Sequence, residues 1–268
     1  MLRKLMKHEF RATSRIMLPL YLILLVTAVG AKFSVSDMFE TENTLLNILG
    51  GLLVVAFAVS MAAVCLVSVF LMVQRFYQNL LRDEGYVMMT LPVSIHQQVW
   101  AKLLVGVAWC AVTVLAVCLA IFVMGYQVGL LEEFGRFAGE VWQYVCAEFG
   151  LDGLLTVLEV LVVCFATVCS MYLEFYAALA VGHSFPNHKL IWSVGAYFAM
   201  EFVMSLIVGT AGSVLGAAGI LDNLVTLPND STAALHVALL GTAAASVLNG
   251  AVYYAITAWF LKHKLNLE

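Results

Sequence analysis

The chain has 268 residues, of which 63% are apolar and only 11% are charged, and its net charge is −4. Soluble domains of this size carry about 25% charged residues, so the composition excludes an ordinary soluble domain. Apolar runs of about 18 or more residues recur, and each can cross roughly 30 Å of hydrocarbon. We therefore expect an all-α integral membrane protein in which residues 1–268 form one domain with six transmembrane helices.

Residues 1–15 form a basic amphipathic stretch before the first span. At 100° per residue the apolar side chains share one side, and the opposite side carries the cations Arg3, Lys4, Lys7, Arg11 and Arg15. The pattern predicts an interfacial helix on the membrane surface. Glu9 lies in the middle of the apolar face. Its carboxylate either turns out to water or pairs with a cytosolic arginine, Arg75 or Arg82.

The remaining chain alternates between apolar spans and short polar segments. We predict spans at about 16–33, 45–73, 95–126, 154–181, from 189 onward, and 235–260. An amphipathic stretch at 127–153 is expected to contain a helix on the outer interface. Of the 13 lysines and arginines, only Lys32 and Arg136 fall outside when both termini are placed in the cytosol. This bias predicts a multi-pass protein with cytosolic termini.

Three acidic residues fall within predicted spans, namely Glu159, Glu174 and Glu201. Ionisable groups in hydrocarbon are costly and usually face the bundle interior or a cavity. The three therefore are candidates for a polar translocation path or a proton-linked site. Interhelical hydrogen bonding is the alternative. For Glu201 the functional and the structural interpretation are equally favoured. For Glu159 and Glu174 the structural interpretation is favoured.

Glycines punctuate the end of the fifth span. Gly209, Gly212, Gly216 and Gly219 permit close backbone approach or a broken helix. A polar segment with Pro228 follows them. We therefore predict a re-entrant or outer segment at 209–234, with the fifth span turning inside the membrane and the glycines as its hinge.

The sequence lacks the motifs of a catalytic or metal-binding protein. It contains no Gly-x4-Gly-Lys-Ser/Thr and no His-Glu-x-x-His. His183 and His188 are isolated in a proline-containing turn and are interpreted as structural. The acidic stretch Glu132-Glu133-x-x-Arg136 is one residue short of a membrane-protease motif, and no histidine was placed in a span to complete such a site. We predict that the chain is not an enzyme and binds no metal or cofactor.

Residues 74–94 are the longest polar segment expected in the cytosol. The run from Arg75 to Glu84 suits a helix that Gly85 would end. Pro92 prevents helix at the residue before it, and Ser94 with Gln97 forms a capping box for the third span. The alternative is an ordinary loop. However, arginine and aromatic side chains at an exposed tip suit a protein contact, and this segment offers Phe76, Tyr77, Arg82, Asp83, Glu84 and Tyr86.

Three stretches carry a family resemblance. They are Lys7-His8-Glu9-Phe10-Arg11-Ala12-Thr13, Arg75-Phe76-Tyr77-x-Asn79-Leu80-Leu81-x-Asp83-Glu84-Gly85-Tyr86, and Thr90-Leu91-Pro92-Val93-Ser94. Together they resemble permease subunits of bacterial ABC exporters, of the kind common in Clostridia-like bacteria. The resemblance covers the whole chain and is most specific at 75–94. It implies an amphipathic N-terminal connecting helix, a cytosolic coupling helix within 74–94, and short re-entrant helices between spans five and six.

The resemblance also implies a function. Such a permease forms a translocation path with a second permease chain, identical or different, in the bacterial plasma membrane. Separate ABC ATPase subunits bind ATP and Mg and dock on the coupling helix; no nucleic acid is involved. Substrates would be antimicrobial peptides, drugs or lipid-like molecules. The implied ATPase-coupling residues are Glu9, Arg75, Phe76, Tyr77, Arg82, Asp83, Glu84, Gly85 and Tyr86. The main alternative is a proton-coupled secondary transporter that uses Glu201.

Overall fold

The computed structural model describes residues 2–34, 44–81, 93–126, 130–149, 152–217 and 231–263. Within these ranges the chain is all-α and forms seven helices. They are α1 (Leu2–Phe33), α2 (Thr44–Leu81), α3 (Ile95–Gly125), α4 (Leu130–Phe149), α5 (Asp152–Gly182), α6 (Lys189–Ala217) and α7 (Ser231–His263). All of them except α4 are long and apolar enough to cross a membrane. The chain is therefore a multi-pass membrane protein.

Helix α1 continues without a break from the basic stretch into the first span. Its 32 residues correspond to a length of roughly 48 Å, which exceeds the roughly 30 Å of hydrocarbon in a bilayer. The expectation of a separate N-terminal helix at 1–15 is therefore wrong in its boundary. Pro19 lies inside the helix, but no helix end occurs between residues 15 and 16.

Helix α2 likewise runs past its predicted end near residue 73. It has 38 residues and ends at Leu81, so Arg75, Phe76 and Tyr77 belong to the same helix as the second span. The predicted helix from residue 75 is present as far as Leu81, but it is not a separate element there. Residues 82–92 lie outside the described part of the chain. Helix α3 begins at Ile95, directly after the predicted Ser94 cap.

The fifth span is also a continuous helix. Helix α6 extends over 29 residues to Ala217, so Gly209, Gly212 and Gly216 lie inside it and do not break it. The prediction that these three glycines form a re-entrant hinge is therefore wrong. Propensity alone makes a helical glycine less favourable by about 1 kcal/mol, and a long apolar helix can absorb that cost. Gly219 and residues 218–230 lie outside the described residues.

A short turn at 183–188 connects α5 to α6. Glycine is required at its start, because a Cβ on Gly182 would overlap the backbone nitrogen and Cα of Ser193. His188 ends the turn with a φ of 52°, in the left-handed region. Its carbonyl accepts hydrogen bonds from the backbone N–H groups of Ile191 and Trp192, which starts α6.

The chain divides into two compact units. The first unit comprises Met1–Arg75 and Gln97–Gly139, and the second comprises Phe76–His96 and Glu140–Glu268. In the second unit α5 packs against both α6 and α7. Gly250 on α7 lies in van der Waals range of Ser170 and Leu173 on α5, as expected for a small residue at a close helix contact.

Candidate functional site

A buried ion pair joins α1 to α3 in the first unit. The Nζ atom of Lys102 donates a hydrogen bond of 2.7 Å to Oε1 of Glu9, and both side chains are more than nine-tenths buried. The same ammonium group donates a longer bond of 3.4 Å to the backbone carbonyl of Arg75 on α2. Lys102 therefore connects three helices at one point, which we call the Lys102 junction (Glu9, Lys102 and the Arg75 carbonyl).

Polar contacts continue along the seam between α1 and α3. The indole N–H of Trp109 donates to the hydroxyl of Thr13 at 2.7 Å, and that hydroxyl donates to the carbonyl of Glu9. Further along the seam, the hydroxyls of Tyr21 and Thr113 share a hydrogen bond of 2.8 Å. Interhelical hydrogen bonds of this kind fix the register of two membrane helices. The ion pair is thus held in a fixed alignment of α1 and α3.

The position of Glu9 decides between the two sequence interpretations. Glu9 is buried, so the interpretation that its carboxylate turns out to water is wrong. It has a cationic partner, as the other interpretation expected, but that partner is Lys102. Arg75 contributes its backbone carbonyl to the junction, and Arg82 lies outside the described residues.

The aromatic residues near the end of α2 are packed within the second unit. Phe76 is fully buried and stacks on Tyr176 of α5, with ring centroids 3.9 Å apart and ring planes 7° apart. Tyr77 is half-buried and meets the edge of His183 at 5.1 Å. The expectation that Phe76 is exposed is therefore wrong, and Tyr77 is exposed only in part. Their predicted role in ATPase coupling stays a prediction.

The other predicted coupling residues cannot be placed. Arg82, Asp83, Glu84, Gly85 and Tyr86 all lie outside the described residues. His183, at the start of the adjoining turn, is buried, and its Nδ1 donates to the carbonyl of Leu179 at 2.8 Å. This contact agrees with the structural role predicted for His183.

A second polar cluster lies within the spans of the second unit. Glu174 on α5 is buried, and the carboxyl of Glu201 on α6 lies within hydrogen-bonding reach of it. Tyr197 on α6 and Tyr253 on α7 lie close enough to both carboxyl groups to interact with their charges. We call these four residues the carboxyl cluster. Two of the three acids predicted for the translocation path therefore meet.

The two acids of the carboxyl cluster differ in their surroundings. Only 8% of Glu174 is exposed, and its Oε1 has no hydrogen-bond partner among the described residues. Glu201 is exposed on the surface of α6. A carboxyl oxygen without a partner in a buried position is energetically costly. A ligand or a proton at the cluster would satisfy this oxygen.

Glu159, the third predicted acid, lies elsewhere on α5. It is about 15 residues, or roughly 22 Å, from Glu174 along the helix axis. Nδ1 of His236 on α7 contacts its Oε2 at 2.6 Å, and Glu159 is buried. The expectation that no span contains a histidine is therefore wrong, because His236 lies in the sixth span. The pairing supports the structural interpretation of Glu159.

Two of the residues that complete these sites were overlooked in the sequence. Lys102 and His236 are ionisable side chains inside apolar spans, the signal by which the three glutamates were found. In the sequence, Lys102 stands out only as one of the cations on the cytosolic side. Their pairing with Glu9 and Glu159 depends on how the helices pack, which the sequence pattern does not show.

Within the described parts of the chain, no group of three histidine, cysteine or acidic side chains could hold a metal ion. Comparisons of the chain with protein-family models, with curated proteins and with solved structures gave no match.

Proposed function

We propose that this chain is the membrane-spanning subunit of an ATP-driven exporter. The observation that carries the proposal is the Lys102 junction. It ties α1 and α2 to α3, and residues 82–92, on which a separate ATPase would dock, join α2 to α3 in the sequence. A push on this segment would reach α3 directly, and it would reach α1 through the pair of Lys102 and Glu9.

The energetics of the junction suit a mechanical link. A buried ion pair adds little net stability compared with well-packed apolar residues, but breaking it by removing one partner costs about 3–5 kcal/mol. The two helices would therefore move together instead of separating at this point. In the second unit, Phe76 and Tyr77 similarly attach the end of α2 to α5 and to the turn at 183–188.

The remaining parts of the proposal follow the resemblance. Two permease chains would enclose the translocation path, ATP and Mg would bind the partner ATPase, and both termini would face the cytosol of a bacterial cell. The carboxyl cluster would line the path. The short helices that the resemblance implies between the fifth and sixth spans fall outside the described residues.

Purification of the chain from its native membrane in mild detergent tests the proposal. We expect a second protein that contains Gly-x4-Gly-Lys-Ser/Thr to co-purify, and mass spectrometry would identify it by that motif. The matched control is the Asp83→Lys, Glu84→Lys variant, which should lose this protein while remaining in the membrane. If no such protein accompanies the wild-type chain, the proposal is wrong.

A second candidate function is proton-coupled transport, and the carboxyl cluster favours it. Two carboxyl groups within hydrogen-bonding reach of each other can share a proton, whereas two carboxylates can only accept. Glu201 is exposed and could exchange that proton. The test is transport by the chain alone in vesicles without ATP. Transport that follows an imposed pH gradient and is lost in Glu201→Gln would favour this function over the exporter.

A further inference from the structure

We propose that the carboxyl cluster binds a lipophilic organic cation that carries N–H groups. This inference names a substrate class for the exporter, and transport of such a cation rests on the proposed function. Binding does not, because the four side chains belong to this chain alone. They lie on three helices of one compact unit: Glu174 on α5, Tyr197 and Glu201 on α6, and Tyr253 on α7.

The charge balance of the second unit gives the first argument. Among its described residues, the only lysines are Lys189 and Lys262, at the first residue of α6 and the last turn of α7. Lys189 is about 12 residues, or roughly 18 Å, from Glu201 along α6. Among the described residues of this unit, no lysine or arginine forms a salt bridge with Glu174 or Glu201, whereas Glu9 pairs with Lys102. A ligand cation would supply that charge inside the membrane.

Glu174 gives a second argument that does not depend on charge. Its side chain is more than nine-tenths buried, it lies beside Glu201, and its Oε1 has no hydrogen-bond partner among the described residues. A cation of this kind has N–H groups to donate to this oxygen and to the Glu201 carboxyl together. Hydrogen bonds between charged groups are the stronger kind.

The aromatic side chains favour an organic cation over a metal ion. Tyr197 stacks on Phe175 of α5, with ring centroids 5.2 Å apart and nearly parallel planes. Tyr253 lies on the third helix near both carboxyl groups. Aromatic faces attract ammonium groups and cover their hydrocarbon parts, whereas Ca²⁺ takes six or more oxygen ligands. A metal ion would gain nothing from the ring faces, since its ligands here would be oxygen atoms.

The surface of α6 explains why the ligand should be lipophilic. Glu201 is exposed, and so are Phe198 and Phe202. The two phenylalanines are four residues apart and therefore share one face of α6, next to Glu201. A molecule that partitions into the bilayer could thus bring its N–H groups to Glu201 while its apolar part contacts the phenylalanines. A strongly hydrated cation would gain nothing from that surface.

The experiment uses the full chain in nanodiscs of uncharged phosphatidylcholine and the cationic dye rhodamine 6G as the probe. We expect Glu174→Gln and Glu201→Gln each to raise the Kd measured by fluorescence anisotropy by about tenfold, as for a lost hydrogen bond to a charged group. Glu159→Gln is the matched control, since this acid pairs with His236 away from the cluster. It should bind the dye as the wild type does. The neutral dye Nile red should bind all variants equally.

Carbodiimide labelling of the wild-type chain covers the case in which a variant fails to fold. Dicyclohexylcarbodiimide modifies carboxyl groups in apolar surroundings, and mass spectrometry locates the product. We expect rhodamine 6G to slow labelling at Glu174 and Glu201 and to leave carboxyl groups outside the cluster unaffected. Wild-type dye affinity in the folded Glu174→Gln, Glu201→Gln double variant, or labelling of Glu201 that saturating dye does not slow, overturns the proposal. Because neither assay contains ATP or an ATPase, these results leave the exporter proposal to its own test.

Discussion

Lys102 and Glu9 form an ion pair of 2.7 Å between two membrane helices, and both side chains are buried. The lysine also reaches the backbone carbonyl of Arg75. Removing one member of such a pair leaves an uncompensated charge, whereas removing both does not. This asymmetry gives the first test.

We expect Lys102→Met to destabilise the protein strongly, because it leaves the Glu9 carboxylate buried without its partner. A cost of about 3 kcal/mol corresponds to a fall in melting temperature of roughly 6–12 °C for a chain of this size. The measurement is the loss of the monodisperse chromatographic peak after heating in detergent. The double variant Glu9→Gln, Lys102→Met should recover most of the loss.

Lys262→Met is the control for this test, because Lys262 is exposed near the end of α7. It should melt as the wild type does. If Lys102→Met also melts as the wild type does, the ion pair does not hold α1 and α3 together. The proposed mechanical link through the Lys102 junction is then wrong as well.

The second test concerns Phe76, which the structure buries against Tyr176. We expect Phe76→Ala to cost about 3–5 kcal/mol, as for other buried phenylalanines, and to lower the melting temperature of the purified chain. Phe76→Leu should cost less, because it retains most of the apolar volume. Phe202→Ala is the matched control, since Phe202 is 66% exposed.

The alternative for Phe76 is a surface role in ATPase docking. In that case Phe76→Ala would leave the melting temperature unchanged and would reduce only the amount of ATPase that co-purifies. This result would contradict the packing of Phe76 on Tyr176.

The sequence predicts the spans well because their signal is local. The six apolar runs correctly predict six spans. The Ser94 cap correctly predicts that α3 begins at Ile95. Helix continuity was harder to predict. A change in polarity predicts helix breaks at residues 15–16 and 73–75. Flexible residues predict another break at the glycines of α6. Hydrogen bonding along the helix persists through each of them, since neither polarity nor a single glycine removes a backbone donor.

The site was predictable only in part, and the reason is again physical. An acid in an apolar span is visible in the sequence, and Glu174 and Glu201 were found in this way. Which acids meet depends on helix packing, so Glu159 was grouped with them although it pairs with His236. Similarly, Phe76 was interpreted as exposed because polar residues surround it in the sequence, although its own side of α2 is buried.

The third test concerns the turn between α5 and α6. We expect Gly182→Ala to destabilise the chain, because the added Cβ would overlap backbone atoms of Ser193, which cannot move without displacing α6. Limited proteolysis at 183–188 and the melting temperature would both report the change.

Gly195→Ala is the matched control on α6, where the added Cβ meets no atom within 4 Å. This variant should be neutral, or more stable by up to about 1 kcal/mol, because alanine favours the helix. Equal stability of the Gly182→Ala and Gly195→Ala variants would show that the close approach at Gly182 is wrong.

The last test addresses the coupling segment, whose acids Asp83 and Glu84 lie outside the described residues. We expect Asp83→Lys with Glu84→Lys to uncouple ATP hydrolysis from export, because reversed charges would repel the surface that the acids complement. Like charges placed across an interface cost several kcal/mol, so export at subsaturating ATPase should fall by at least about tenfold. The measurement is dye efflux from cells together with the membrane level of the chain. Glu132→Lys with Glu133→Lys, an exposed acidic pair on α4, is the matched control and should export normally. Unchanged export in the 83–84 variant would mean that no ATPase acts through this segment. The pH-gradient assay would then decide whether the carboxyl cluster drives transport by protons.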